Sequence, residues 1–230
     1  MRIQFVLCAV LCLSSLGVSA AEPRPGDEAI EKYLSGETRL LSQNVLANVE
    51  TREQWEGRRE ELKRQYFDML GLWPLPERTP LNAKVTGKLE REDFTVETVH
   101  FQSKPGLYVT GNLYLPKTPA NGGRVPAVLY VCGHSGKGRD GNKTAFQQHG
   151  MWFATHGYVC LIIDTLQLGE VAGIHHGTYN QNRWWWQAAG YTSAGVECWN
   201  GVRAIDYLLT RPEVDKERIA VTGISGGGAA

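Results

Sequence analysis

The chain has 230 residues, which is enough for one large domain or for one domain with an N-terminal extension. Charged residues make up 21% and hydrophobic residues 42%, as in an ordinary globular protein. Lysine plus arginine and aspartate plus glutamate number 24 each, so the formal net charge is zero. This balance excludes a protein that binds nucleic acid or an anionic membrane surface through net positive charge.

Residues 1–20 have the pattern of a signal peptide. Arg2 supplies a positive start, and the mostly apolar stretch 5–16 is too short to span a bilayer. Val18, Ser19 and Ala20 then place small residues where a signal peptidase cleaves. We therefore expect a protein that is exported to the periplasm or the cell exterior and is not held in a membrane after cleavage. An uncleaved N-terminal anchor is the alternative.

Three of the five cysteines follow this segment, so at least one thiol stays unpaired in the mature protein. Cys132 and Cys160 lie in apolar, strand-like runs, where cysteine usually serves as a small buried side chain. A disulfide is compatible with export, but spacing assigns none to these two residues or to Cys198. The sequence has no zinc-type spacing of cysteine and histidine, and we predict neither a metal nor a cofactor.

Residues 21–80 are predicted to form a helical N-terminal extension. Thr51 and Gln54 have the spacing of a capping box, in which each side chain accepts a hydrogen bond from the other residue's backbone. Apolar residues follow at helical spacing, and Gly71 ends the run. The segment 73–76, Trp-Pro-Leu-Pro, interrupts any further helix, so we expect a domain boundary near residue 80.

The second predicted domain, residues 81–230, has the pattern of an α/β fold. Three segments with alternating or β-branched residues predict an antiparallel meander at a sheet edge. Three continuous apolar runs then predict strands buried on both faces, with helical segments between them. Such alternation implies a parallel sheet covered by helices on both sides. The meander segments are residues 84–90, 94–101 and 107–115, the buried strands are 125–132, 158–164 and 218–223, and the helices are 145–156 and 195–209.

The last predicted strand leads into Gly223-Ile224-Ser225-Gly226-Gly227. A serine hydroxyl is a poor nucleophile unless it is exposed to a base, and a tight turn between a strand and a helix exposes it. Gly223 and Gly227 stand two residues on either side of Ser225, where a side chain would collide with the turn. We predict that Ser225 is a nucleophile and that the N–H of Gly226 is one donor of an oxyanion hole. The alternative is a glycine-rich turn with an incidental serine.

The second oxyanion donor is expected after the strand at 125–132, and we predict the backbone N–H of His134. The His134 side chain is a weaker candidate for the base that accepts the serine proton. Where a serine nucleophile stands in such a strand–turn–helix motif, its catalytic histidine follows it in the chain. Asp164 ends the next strand and is predicted to hold a loop. Asn142 begins an Asn-Lys-Thr sequon, which matters only in a host that glycosylates.

The stretch between the second buried strand and the helix at 195–209 is irregular. Trp184, Trp185 and Trp186 in it form either one wall of a pocket or the packing of an inserted loop. The pair His175 and His176 is predicted to be solvated or to face substrate, because adjacent histidines point apart on any regular element.

Residues 81–230 resemble the α/β-hydrolase superfamily, and within it the acetyl xylan esterase-like and dienelactone hydrolase-like members, which are often exported. The resemblance rests on the runs 126–134 and 157–164, the helix 203–208 with the segment 211–215, and the elbow. It implies a carboxylic-ester hydrolase that forms an acyl-enzyme on Ser225. It also implies a small-molecule or carbohydrate ester as substrate.

The chain departs from that pattern in three ways. Acetyl xylan esterases of the cephalosporin-deacetylase type carry Arg-Gly-Gln after the second buried strand, where this chain reads Asp-Thr-Leu-Gln from Asp164. They carry Gln after the nucleophile, where this chain has Gly226. The acid and histidine of this fold follow the serine, and only five residues follow Ser225, so we expect a fragment that is inactive by itself. The alternatives are a serine peptidase of the prolyl-oligopeptidase type and a hydrolase-like protein without catalysis.

Overall fold

The computed structural model describes residues 24–117, 123–171, 182 and 185–229. The signal-peptide prediction, the His175-His176 pair and Trp184 lie outside these residues. Contacts between residues divide the chain into a unit that ends at Arg58 and a unit that begins at Arg59. The expected boundary near residue 80 stays a prediction. No helix in the described ranges is long and apolar enough to cross a membrane.

The predicted helical extension is confirmed as two helices, α1 (Pro25–Asn44) and α2 (Arg52–Met69). The expected capping box starts α2. Thr51 Oγ1 accepts from the N–H of Gln54 at 3.3 Å, and Gln54 Oε1 accepts from the N–H of Thr51 at 3.0 Å. The helix ends before Gly71, whose φ of 70° lies in the left-handed region that glycine adopts without strain.

The second unit contains a mixed sheet with the strand order β1-β2-β3-β5-β4-β6. The first three strands form the predicted antiparallel meander, β3 pairs antiparallel with β5, and β4 pairs parallel with both β5 and β6. This arrangement confirms the α/β fold with an antiparallel edge. The strands are β1 (Lys84–Glu90), β2 (Phe94–Lys104), β3 (Leu107–Pro116), β4 (Val125–Val131), β5 (Val159–Ile163) and β6 (Val214–Gly223).

Helices cover both faces of this sheet, as predicted. The helix α3 (Gln147–Thr155) packs on one face, α4 (Trp185–Ala188) is a single turn, and α5 (Ser193–Thr210) packs on the other face. Successive strand residues point to opposite faces, so the core has two layers. In β4, Leu129 joins the layer under α5, whereas Tyr130 joins the layer under α3.

One strand differs from its prediction. The run 218–223 predicts a strand buried on both faces, yet β6 is mostly exposed and Val221 is 55% exposed. The reason is its position at the edge. Within the described chain β6 pairs with β4 only, and little of α5 covers it. The apolar composition of β6 is therefore not matched by burial in the described chain.

Candidate active site

Ser225 lies in the turn between β6 and the short helix α6 (Gly226–Ala229). Its φ is 55°, in the left-handed region that side chains other than glycine rarely adopt. The Ile224 N–H donates to the carbonyl of Val131 at 3.4 Å, and the Ser225 carbonyl accepts from the N–H of Gly228 at 2.9 Å. Ser225 is exposed. The turn therefore holds a strained, solvent-accessible serine at the end of a strand.

The glycines around Ser225 are required by the packing of this turn against β4. A Cβ on Gly223 would lie 2.5 Å from the carbonyl oxygen of Val131 and 2.6 Å from its Cγ2. A Cβ on Gly227 would overlap the same carbonyl group. A Cβ on Gly133 would lie 2.8 Å from the Ile224 carbonyl oxygen and 3.0 Å from Cβ of Ser225. No side chain fits at these three positions without moving backbone.

His134, the other residue predicted for the oxyanion hole, lies beside the elbow. It follows β4 and is exposed, and its ring lies against Gly226. A Cβ on Gly226 would be 2.6 Å from Nδ1 of His134. The fold thus brings together the two residues whose N–H groups are predicted to bind an oxyanion, one from each of two neighbouring parallel strands.

Asn142 ties the loop after β4 to the loop after β5. It is fully buried. In the amide orientation that satisfies both neighbouring backbone groups, Nδ2 donates to the carbonyl of Gly133 at 3.1 Å and Oδ1 accepts from the N–H of Thr165 at 2.9 Å. Its φ is 45°, which asparagine tolerates better than most residues. The Asn-Lys-Thr sequon is therefore not available for glycosylation in the folded chain. Asn142, which the sequence marks only as part of a sequon, instead positions the loop that contains His134.

Asp164 is buried and holds four groups together, which agrees with the expectation that it fixes a loop. It accepts from Thr110 Oγ1 at 2.8 Å, from the N–H of Lys143 at 3.2 Å and from the N–H of Glu170 at 3.2 Å. It also forms a buried ion pair with Lys143 Nζ, which lies 3.0 Å from Glu170 Oε2. The burial of Lys143 was not predicted, because a single lysine in a polar loop gives no such signal.

Glu197 and Asn200 on α5 face the ends of β4 and β5 near Cys132. Burial raises the pKa of Glu197 to about 7. No signal in the helix pattern distinguishes Glu197 from an exposed glutamate.

Cys132 and Cys160 are buried, as predicted, Cys198 is half-buried, and all three are free thiols. Burial raises the pKa of Cys160 to about 12 and that of Cys132 further above its usual range. Neither thiol is therefore ionised near neutral pH, which removes both as nucleophiles. In the described part of the chain, no three His, Cys, Asp or Glu side chains cluster as metal ligands would.

No protein-family model matches the chain. The chain is 27% identical over 179 residues to "Putative hydrolase YtaP" of Bacillus subtilis. The matched segment covers 74% of this chain and 57% of that protein. The chain is also 29% identical over 149 residues to "Uncharacterized protein PA2218" of Pseudomonas aeruginosa. That matched segment covers 65% of this chain and 33% of that protein. The chain therefore spans less than two thirds of the length of either curated relative.

Two solved structures extend this likeness to the fold. Methylesterase BT1017 superposes with a TM-score of 0.61 at 28% identity, covering 85% of this chain and 41% of that chain. A "putative acetyl xylan esterase" from Bacteroides fragilis superposes with a TM-score of 0.60 at 18% identity, covering 82% of this chain and 54% of that chain. The strand order, the strand–turn–helix around Ser225 and these likenesses show that the chain has the α/β-hydrolase fold.

Proposed function

We propose that the chain carries the nucleophile of a serine hydrolase that cleaves carboxylic esters, with Ser225 forming the acyl-enzyme. The observation that carries this proposal is the φ of 55° at Ser225, between β6 and α6. Strained backbone at a strand-to-helix turn is the geometry that exposes a nucleophile in α/β-hydrolases. A serine in an incidental turn has no need of such strain.

The proposed oxyanion hole consists of the backbone N–H groups of Gly226 and His134. The contact between the His134 ring and Gly226 supports this pairing, since it brings the two backbone segments close to Ser225. Negative charge develops on the carbonyl oxygen when Ser225 attacks, and two preorganised donors would stabilise it. The proposal assigns neither the base that accepts the Ser225 proton nor the acid that orients that base.

The proposed substrate is an ester on a carbohydrate, such as an acetyl group. The names of the similar structures, a methylesterase and an acetyl xylan esterase, support an ester with a small leaving or acyl group. Gly226 stands where cephalosporin-deacetylase-type enzymes have Gln. The His134 ring occupies the space beside Gly226, so a larger residue at position 226 would require this ring to move.

Export is also part of the proposal. Residues 1–20 would direct the chain out of the cytoplasm, with cleavage after Ala20. N-terminal sequencing of protein recovered from the periplasm or medium is expected to begin at Ala21. Recovery of an intact Met1 in the membrane fraction would favour the anchor instead.

The test of the nucleophile is covalent labelling with a fluorophosphonate. The protein encoded by the complete gene is incubated with the probe, and the labelled peptide is found by mass spectrometry. We expect the label on Ser225, with loss of labelling in Ser225→Ala and no change in the matched control Ser135→Ala. Absence of label on Ser225 in the folded wild type would refute the proposal.

The substrate is tested separately with the same protein. Release of acetate from acetylated xylan and from p-nitrophenyl acetate is expected, and both activities should disappear in Ser225→Ala. Cleavage of peptide substrates without ester hydrolysis would instead support a serine peptidase. If Ser225 is labelled but no ester is hydrolysed, the proposal that Ser225 is the nucleophile stands and the proposal of an ester substrate is rejected.

A further inference from the structure

A cavity of about 570 Å³ lies in the second unit, beside β3 and β5. Four parts of the chain form its walls. These are the turn after α2, the tip of the β2–β3 hairpin, the loop after β5 and the segment from Trp186 to the first turns of α5. None of the described residues that line it belongs to the elbow at 223–227. It is therefore separate from the proposed nucleophile, although the loop after β5 lies at the same carboxyl edge of the sheet.

The walls of this cavity are fixed by hydrogen bonds between distant parts of the chain. Thr192 Oγ1 donates to the carbonyl of Leu70 at 2.7 Å and accepts from the N–H of Gly195 at 2.9 Å. Trp199 is buried, and its Nε1 donates to the carbonyl of Ser103 at 3.0 Å. These bonds join α5 to the turn after α2 and to the end of β2. The cavity is thus preformed, as small-molecule sites usually are.

The lining is mainly apolar and rich in aromatic rings. Tyr108, Trp186, Tyr191 and Trp199 all contribute to it, together with leucine and valine side chains. Tyr108 and Tyr191 are each about half exposed and stand where the cavity meets solvent. Aromatic walls favour a flat ligand, because ring stacking adds attraction beyond the burial of apolar area.

One cation stands in this lining. Lys104 is the sole charged residue among the described residues that line the cavity, and its Nζ lies 5.5 Å above the ring of Tyr191. No described carboxylate lies within ion-pair distance of this ammonium group. The contact with Tyr191 holds the charge over an aromatic face. A ligand with one negative charge would complete this arrangement.

We propose that this cavity binds an aromatic carboxylate, with the ring between the aromatic walls and the carboxylate on Lys104. The volume lies within the usual range for small-molecule sites. The site does not depend on the chemistry of Ser225. It would hold a free aromatic acid or an aromatic acid group that is part of a larger molecule.

The test compares two isosteric probes, 2-naphthoate and its neutral amide, 2-naphthamide, by isothermal titration calorimetry on the full chain. We expect 2-naphthoate to bind with a dissociation constant between micromolar and low millimolar. The amide should bind about fivefold more weakly, the size of one partly screened ion pair. Lys104→Gln should remove this difference, whereas the matched control Lys216→Gln on exposed β6 should retain it.

The location is tested by filling the cavity from two sides. Val196→Trp from α5 and Leu166→Trp from the loop after β5 should each reduce binding at least tenfold, provided that circular dichroism shows a folded chain. Using two positions keeps the test decisive if one variant fails to fold. Ser225→Ala should leave binding unchanged, so this result is independent of the proposed hydrolase activity.

Equal affinity for the acid and the amide in the wild type would overturn the role of Lys104. Absence of binding by both probes, or undiminished binding in folded Val196→Trp and Leu166→Trp, would overturn the site itself.

Discussion

The imidazole ring of His134 packs directly against Gly226, so that a Cβ on Gly226 would lie 2.6 Å from Nδ1 of His134. The residue after the proposed nucleophile and the loop after β4 are therefore fitted to each other. A larger residue at position 226 would push on the His134 ring. Substitutions at these two positions therefore test the proposed oxyanion hole directly.

The first prediction concerns the added methyl group of Gly226→Ala. The methyl group should displace the His134 ring. If this movement carries the attached backbone N–H with it, the rate constant of fluorophosphonate labelling at Ser225 should fall by up to about 10²-fold, the usual cost of one lost oxyanion donor. Stopped-time labelling of the protein from the complete gene, followed by intact mass, measures this rate.

The control for that prediction is Gly228→Ala, since a Cβ on Gly228 meets no atom within 4 Å. Its labelling rate should match the wild type. The double variant His134→Ala/Gly226→Ala should recover most of the rate, because the backbone N–H is kept while the ring is removed. Failure of this rescue would show that the methyl group acts through the turn itself.

The second prediction concerns the buried amide of Asn142. Asn142→Gly preserves the left-handed backbone but leaves the Gly133 carbonyl and the Thr165 N–H without the partner described above. Leaving two buried backbone groups unsatisfied should lower the free energy of unfolding by about 2–4 kcal/mol. Urea unfolding measures it. Asn82→Gly, at an exposed residue with the same φ of 45°, should change stability by less than about 1 kcal/mol.

The third prediction concerns the buried pair of Lys143 and Asp164, whose side chains are 5% and 0% exposed. Lys143→Met removes the cation and leaves the Asp164 charge buried, which should cost about 3–5 kcal/mol of unfolding free energy. Adding Asp164→Asn should recover part of this loss, because the uncompensated charge disappears. Arg139→Met, which breaks an exposed pair with Glu170, should cost less than about 1 kcal/mol.

The fourth prediction concerns pH. Burial raises the pKa of Glu197 from 4.5 to about 7, so between these values the folded chain binds more protons than the unfolded chain. This contribution to stability is complete below about pH 4.5 and is lost as the pH rises through 7. Its total size is about 3 kcal/mol. The free energy of unfolding, measured by urea denaturation from pH 5 to 8, should decline less in Glu197→Gln than in the wild type.

A matched variant separates this effect from general titration. Glu217 is exposed on β6, and Glu217→Gln should leave the pH dependence unchanged. An identical decline with pH in the wild type and Glu197→Gln would contradict the assignment of the buried proton to Glu197.

The sequence predicts most of the fold, because its apolar runs match buried strands. The run at 125–132 corresponds to β4, and the capping box at Thr51 and Gln54 marks the start of α2. The prediction that the strand at 218–223 is buried on both faces was wrong, because composition does not reveal which strand lies at an edge of the described sheet. A pattern reports the chemistry of a segment, whereas exposure depends on what packs beside it.

The candidate site could be predicted in part. Ser225 and its flanking glycines form a local motif, and local motifs can be read from one segment. The network around Asp164 and the cavity beside Leu70 join residues that are far apart in the chain, so no single segment contains their signal. Thr192, for instance, caps α5 and also binds the carbonyl of Leu70.

The packing of Gly223 and Gly227 against Val131 has a consequence for the order of folding. The turn at Ser225 depends on contacts with the end of β4, and β5, α3 and α5 lie between β4 and β6 along the chain. Such distant pairing carries a large loop-closure cost and tends to form late. We therefore expect the nucleophile geometry to appear only after the parallel strands have assembled, so that a partly folded chain would not expose a reactive serine.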